Sequence, residues 1–173
     1  EAEQNLKRIG KVDLPEVMPI IGCGNSTHYR NKLEFTFSNK RFLTSDEIGS
    51  ENVVAQQDAL GFHVPRIFDK VIDIFECYLM DDVNNKIRNT IRDFAKQQGF
   101  AFYDIKEHTG WLRNIIIRYC STGELMVNIC LNHEDEANRI LLLDHVLQSV
   151  PSVTTLLYTI NPKWNDSIYD LTP

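Results

Sequence analysis

Alternation of apolar and polar residues is clearest from Tyr29 to Ser38. Tyr29, Leu33, Phe35 and Phe37 fall on one side of an extended chain, and Arg30, Lys32, Glu34, Thr36 and Ser38 on the other. This period of two predicts a strand with one packed face and one face turned outward. Residues 60–64 and 71–77 read as two more strands joined through 65–70, and the three together predict an antiparallel meander. The period then changes to that of a helix. Val83, Ile87, Ile91, Phe94 and Ala95 form one stripe, with Asp81 and Asp82 placed to cap its start and Gly99 at its end. Residues 111–120 and 125–131 flank Ser-Thr-Gly-Glu, a hairpin signal with Gly123 in the turn, and direct Ile115, Ile117, Val127 and Ile129 to the core. A second helix is expected over 134–148, with Ala137, Ile140, Leu141, Leu143, Val146 and Leu147 as its apolar residues, and a last strand over 153–160.

The succession is therefore βββαββαβ. Two helices on one face of an antiparallel sheet make an α+β domain, and the part from residue 81 onward has the order of a ferredoxin-like or RNA-recognition-type half. This domain is expected to occupy 29–161. Ahead of it, residues 1–28 read as the end of a helix, with Leu6 and Ile9 three apart and Gly10 as its stop, then a connector containing Pro15 and Pro19. Residues 162–173 read as a linker. The polar stretch 39–58 is expected to be a hairpin tip or a binding loop.

Composition narrows the class. The chain has 173 residues, enough for one domain with a core of its own, and no apolar run approaches a bilayer span. Its first residue is Glu, which reads as an excised part of a longer chain. The net charge of −6 argues against indiscriminate nucleic-acid binding, yet the charge is uneven: residues 119–173 hold two basic against seven acidic side chains. The basic residues thus lie in the first two thirds. Cysteines 23, 77, 120 and 130 lack any compact ligand spacing, which points to a reduced, cytoplasmic protein without a self-contained zinc site.

Three features could carry chemistry. Arg30 and Lys32, two apart on a strand, project in parallel and could straddle phosphates; the alternative is a solvated strand end with Glu34 as partner. Cys23 between two glycines could be a nucleophile, but only His28 stands near it in sequence. Lys86, Arg88, Arg92 and Lys96 make a basic row on the first long helix. That row is expected to be a solvated face, with phosphate contact as the alternative. G-x-G-x-x-G is absent, so no dinucleotide site is indicated.

Tyr-Arg-Asn-Lys-Leu-Glu-Phe-Thr-Phe (29–37), Gly-Phe-His (61–63), Asp-Ile-Phe-Glu-Cys (73–77), Gly-Trp-Leu-Arg-Asn-Ile-Ile-Ile-Arg (110–118) and Gly-Glu-Leu-Met-Val (123–127) occur in this order. Together they resemble the central region of bacterial RNA uracil-5 methyltransferases, in the branch acting on large-subunit (23S) ribosomal RNA. Residues 161–166 are similar to the stretch leading into that family's methyltransferase domain. The resemblance implies an S-adenosylmethionine-dependent parent with an RNA-binding barrel, a central part associated with a 4Fe-4S cluster, and a catalytic domain. The catalytic cysteine and base of the family match nothing here, so the chain would be inactive alone. Its partners would be ribosomal RNA and the other domains of the same parent, with no membrane involved.

The resemblance also assigns residues. Cys77 matches the fourth cluster ligand, and with the other three expected ahead of Glu1, no cluster is expected on this chain itself. Arg30, Lys32, His63 and Arg113 would contact RNA, with Trp111 stacking on a base. The alternative is that Trp111 fills the edge of the core and Arg113 is a surface strand residue. Two rival readings need no family: a stand-alone protein- or ligand-binding module, and a small cysteine enzyme using Cys23.

Overall fold

In the computed structural model, residues 1–48 and 57–173 are described. The elements run α1 (Ala2–Arg8), β1 (Lys32–Ser38), β2 (Ala59–Val64), β3 (Ile67–Asp73), α2 (Val83–Gln98), β4 (Leu112–Tyr119), β5 (Leu125–Leu131), α3 (Glu136–Ser149) and β6 (Thr155–Ile160). The strands form one six-stranded sheet in the order β3-β2-β1-β4-β5-β6. The expected α+β architecture is present, and the α3 connection decides one detail differently. Every neighbouring pair is antiparallel except β5 and β6, which run parallel, so the sheet is mixed. A helix between two strands carries the chain back along its own length, and the strand that follows enters in the original direction.

Period-two alternation on β1 continues across the sheet. Leu33 pairs with Ile117 and Phe35 with Ile115; these meet Val127 and Ile129 on β5. This face receives Ile87 and Ile91 of α2 and Leu142 and Val146 of α3, all at most 1% exposed. Each such side chain contributes about 1.5–3 kcal/mol on burial. The helices meet through Phe94 and His145, whose rings stack at 3.8 Å. On α3 only Leu142 and Val146 are buried, while Ile140, Leu141 and Leu147 stay near half exposed, because apolar residues surround this helix on more sides than the sheet can cover.

Local chemistry sets the boundaries. Asp81, rather than Asp82, caps α2 by accepting from the Val83 N–H (3.1 Å), and Gly99 ends it in the left-handed conformation at φ 70°. Asp135 caps α3 through the Asn138 N–H. Gly110 sits at φ 98°, where a Cβ would lie 2.3 Å from the Phe102 carbonyl oxygen, so only glycine admits the close approach that leads into β4. The third strand stops at Asp73, and residues 74–77, expected to extend it, form a loop. The polar stretch 39–58 falls partly outside the described residues; in the part that is described, Arg41 bridges to Val71 and covers the edge of β3.

Candidate functional site

Because the helices occupy one face, the other face of the sheet carries the alternate residues. Lys32 pairs with Arg118, and Arg118 with Met126; in the next row stand Glu34, Ile116 and Asn128. The C-terminal segment folds over this face. Together they enclose a cleft of about 270 Å³ with Lys32, Glu34, Ile116, Arg118 and Met126 on its floor and residues 166–171 as its wall. Lys32 Nζ is 3.9 Å from Glu34 Oε2, with both side chains 38% exposed. Arg30 is exposed just before β1, where its N–H donates to the Leu79 carbonyl (2.8 Å). Arg118 was not singled out from the sequence. Alternation along β4 marked its face, but its neighbour Lys32 follows from register, which pairing decides.

The five expected RNA contacts do not converge. His63 is half-buried on β2, and its Nδ1 is buried with no hydrogen-bond partner among the described residues. Trp111 is 5% exposed, packs edge-on to Phe100 (4.9 Å) and donates from Nε1 to the His133 carbonyl (3.2 Å). It fills the core edge, so its ring faces are not offered to a base. Arg113 is neither an RNA-facing nor a surface residue. It sits at the bulge between Leu112 and Asn114, 1% exposed, five residues and roughly 17 Å along the strand from Arg118.

Arg113 clamps the C-terminal segment. Its guanidinium donates to the carbonyls of Asn161 (2.8 Å), Lys163 and Asn165 (3.0 Å) and to Asp166 Oδ1 (2.9 Å), over the Tyr103 ring at 4.3 Å. Five donors in a rigid fork suit such a set of acceptors, where a lysine would not. Trp164 adds a stack on His108, at 4.6 Å. A polar knot holds the turn that carries His108: Asp104 accepts from Lys40 (2.8 Å), Asn39 (3.1 Å) and the N–H groups of Lys106 and Glu107. Burial alone would raise the Asp104 carboxyl, but these donors outweigh it and hold it well below the usual carboxylate range.

The two arginines of the basic row of α2 are also corrected, while Lys86 is exposed as expected of a solvated face. Arg88 is 0% and Arg92 2% exposed. Arg88 donates to the Ile74 carbonyl (2.9 Å), Asn84 (3.0 Å) and Asn85 (2.8 Å) and lies over Phe35 (4.7 Å). Arg92 reaches the same carbonyl (3.2 Å), stands 3.6 Å from Asp73 and covers Phe75. Desolvation lowers the Arg88 guanidinium to about 10, against the opposing pull of Cys77 and Asp73. These arginines hold the loop after β3, where the backbone supplies acceptors that strand pairing leaves unused. Neither a water-facing nor a phosphate-facing role fits them.

Cys77 lies in that loop, 6% exposed; its N–H donates to Asn85 (2.8 Å) and its carbonyl accepts from Asn84 (3.2 Å). The neighbouring carbonyls of Tyr78 and Leu79 accept from the N–H groups of His28 and Arg30, so the arriving N-terminal segment runs beside it. Among the described residues, no three His, Cys, Asp or Glu side chains converge. Cys130 is buried, and desolvation with Glu34 and Asp166 nearby pushes its thiol up to about 12. Cys23 is exposed and donates to the Asn25 carbonyl, while His28 stands 3.7 Å from Asp82; the pair a cysteine nucleophile requires is not assembled. No helix of the described residues is long and apolar enough to cross a membrane.

No family model matches the chain. A protein of Bacteroides thetaiotaomicron named as an uncharacterized RNA methyltransferase is 50% identical over 174 residues, covering 99% of this chain and 38% of that protein. A Porphyromonas gingivalis protein of the same name is 44% identical over 170 residues, covering 95% of this chain and 37% of that protein. The chain thus spans little more than a third of the length of these curated relatives. Among solved structures, the Pyrococcus abyssi tRNA (uracil-54, C5)-methyltransferase in complex with S-adenosyl-L-homocysteine is similar in fold. Its TM-score is 0.59 at 18% identity, over 87% of this chain and 32% of that one.

Proposed function

We propose that this chain is the central, RNA-positioning part of an S-adenosylmethionine-dependent RNA uracil-5 methyltransferase of the large-subunit rRNA branch. The observation that carries the reading is coextensive similarity: half the residues are shared, over 99% of the chain, with a relative named as an RNA methyltransferase. The fold of a uracil C5 methyltransferase, found across 87% of the chain, supports the base and the position modified. The S-adenosyl-L-homocysteine in that structure supports the methyl donor. In this reading the chain holds RNA on its outer sheet face through Arg30 and Lys32, with His63 at the side, and methyl transfer takes place on residues elsewhere in a longer protein. Cytoplasmic location follows from the substrate.

The deciding experiment is deletion of the gene in its host, followed by mass spectrometry of 5-methyluridine in purified RNAs. Loss of one 5-methyluridine from large-subunit rRNA is the expected result. Loss from tRNA alone overturns the ribosomal branch, and retention in both overturns the methyltransferase reading.

Cys77 is proposed as one thiolate of an iron–sulfur cluster in the longer protein, the other ligands arriving with the segment that runs beside its loop. Iron and acid-labile sulfide in the anaerobically purified protein are expected to fall to background on Cys77→Ser. Stoichiometric iron in that variant would sink the assignment.

A further inference from the structure

The outer face of the sheet holds two cations, Lys32 and Arg118, beside a single carboxylate among the described residues, Glu34. Lys32 and Arg118 are direct cross-strand partners on the same face, and like charges so placed destabilise a sheet unless an anion joins them. Glu34 stands only loosely by Lys32, at 3.9 Å. Arg118 is exposed and forms no ion pair among the described residues. Asp166, also on the cleft wall, is already taken by Arg113 at 2.9 Å. One carboxylate beside two cations leaves Arg118 open to an anion from outside the chain.

The rest of the cleft specifies what that anion is attached to. Ile116 and Met126 give an apolar floor beside the two cations. Tyr169 also lines the cleft, with 94% of its surface exposed. Glu34 offers a carboxylate acceptor at the inner end. A free phosphate would use the cations and leave shelf and ring without a role. The cleft measures about 270 Å³. Aromatic stacking next to paired cations is the chemistry by which unpaired nucleotides are held.

We propose that this cleft binds one unstacked nucleotide of single-stranded RNA, its phosphate between Lys32 and Arg118 and its base between Tyr169 and the Ile116–Met126 shelf. The proposal rests on the RNA-methyltransferase reading and adds the subsite, with Arg118 and Tyr169 as its new residues.

The test uses the 173-residue chain and a fluorescein-labelled, unstructured pyrimidine decaribonucleotide, with anisotropy at several salt concentrations and amide chemical-shift mapping. Both substitutions are at exposed positions. Arg118→Glu is expected to weaken binding about tenfold or more and to make the salt slope shallower by about one. Tyr169→Ala is expected to weaken it about fivefold with the slope unchanged, because stacking releases no counterions. Shifts should centre on residues 116, 118, 126 and 169. Wild-type binding that both variants retain, with shifts elsewhere, overturns the cleft and leaves the RNA reading standing. Equal response to inorganic phosphate alone overturns the nucleotide assignment. Absence of RNA binding by the wild-type chain overturns the cleft, and the 5-methyluridine measurement decides the methyltransferase reading separately.

Discussion

Arg113→Ala is expected to release the C-terminal segment and to lower stability by about 3 kcal/mol, or roughly 6–12 °C in Tm. The guanidinium is 1% exposed and serves four acceptors on residues 161–166, so its removal strands several at once and opens a void beneath Tyr103. Arg113→Lys should recover little, since an ammonium cannot present a planar fork to acceptors on both sides of the turn. Thermal unfolding followed by circular dichroism gives the first quantity. Limited trypsin digestion gives the second: cleavage after Lys163 should accelerate strongly at temperatures where the sheet remains folded. A variant that melts lower but keeps Lys163 protected would show that Arg113 supports the core and does not hold the segment. The cleft depends on this clamp, because its wall begins at Asp166.

Arg88→Ala should cost more, about 3–5 kcal/mol, because a fully buried guanidinium leaves a void over Phe35 and three acceptors lose a bond, Asn84 Oδ1 being left without another donor among the described residues. Arg88→Met keeps most of the stem volume over Phe35 and isolates the polar loss, so a smaller cost of about 2 kcal/mol is expected. Arg92 still serves the Ile74 carbonyl in either variant, which keeps that acceptor from being wholly stranded. Urea unfolding measures the cost, and thiol labelling locates it. Cys23 and Cys120 are exposed and should react at once in every variant, whereas buried Cys77 should react slowly in the wild type and faster in Arg88→Ala. If Cys77 labelling is unchanged while the midpoint falls, the loop after β3 is held by something other than Arg88.

Both arginines show where reading from residues alone goes astray. On α2, positions 88 and 92 border the apolar stripe of 87, 91, 94 and 95, and a charged residue there is ordinarily solvated. Burial becomes favourable because Asn84 and Asn85, one turn earlier on α2, and the Ile74 carbonyl just beyond the end of β3 converge on the Arg88 guanidinium. The two asparagines stand in the helix, but no pattern there reports the Ile74 carbonyl that Arg88 and Arg92 share. Arg113 and Trp111 are similar cases. Their alternation on β4 is interrupted by a bulge, and their partners lie 48 to 53 residues later for Arg113 and 22 residues later for Trp111.

Sequence alone determined the number and kind of elements, the core-facing residues of β1, β4, β5 and α2, and the hairpin at Gly123, because side-chain period and turn chemistry act between residues a few positions apart. The cationic start of β1 was legible for the same reason. Tertiary structure decided the parallel entry of β6, the inward turn of Arg88, Arg92, Trp111 and Arg113, and the meeting of Lys32 with Arg118 under the C-terminal segment. Each of these depends on register or on partners outside the element itself, the Ile74 carbonyl for Arg88 and Arg92 and residues 22 to 53 positions away for Trp111 and Arg113, and such free energies arise only once the sheet has formed.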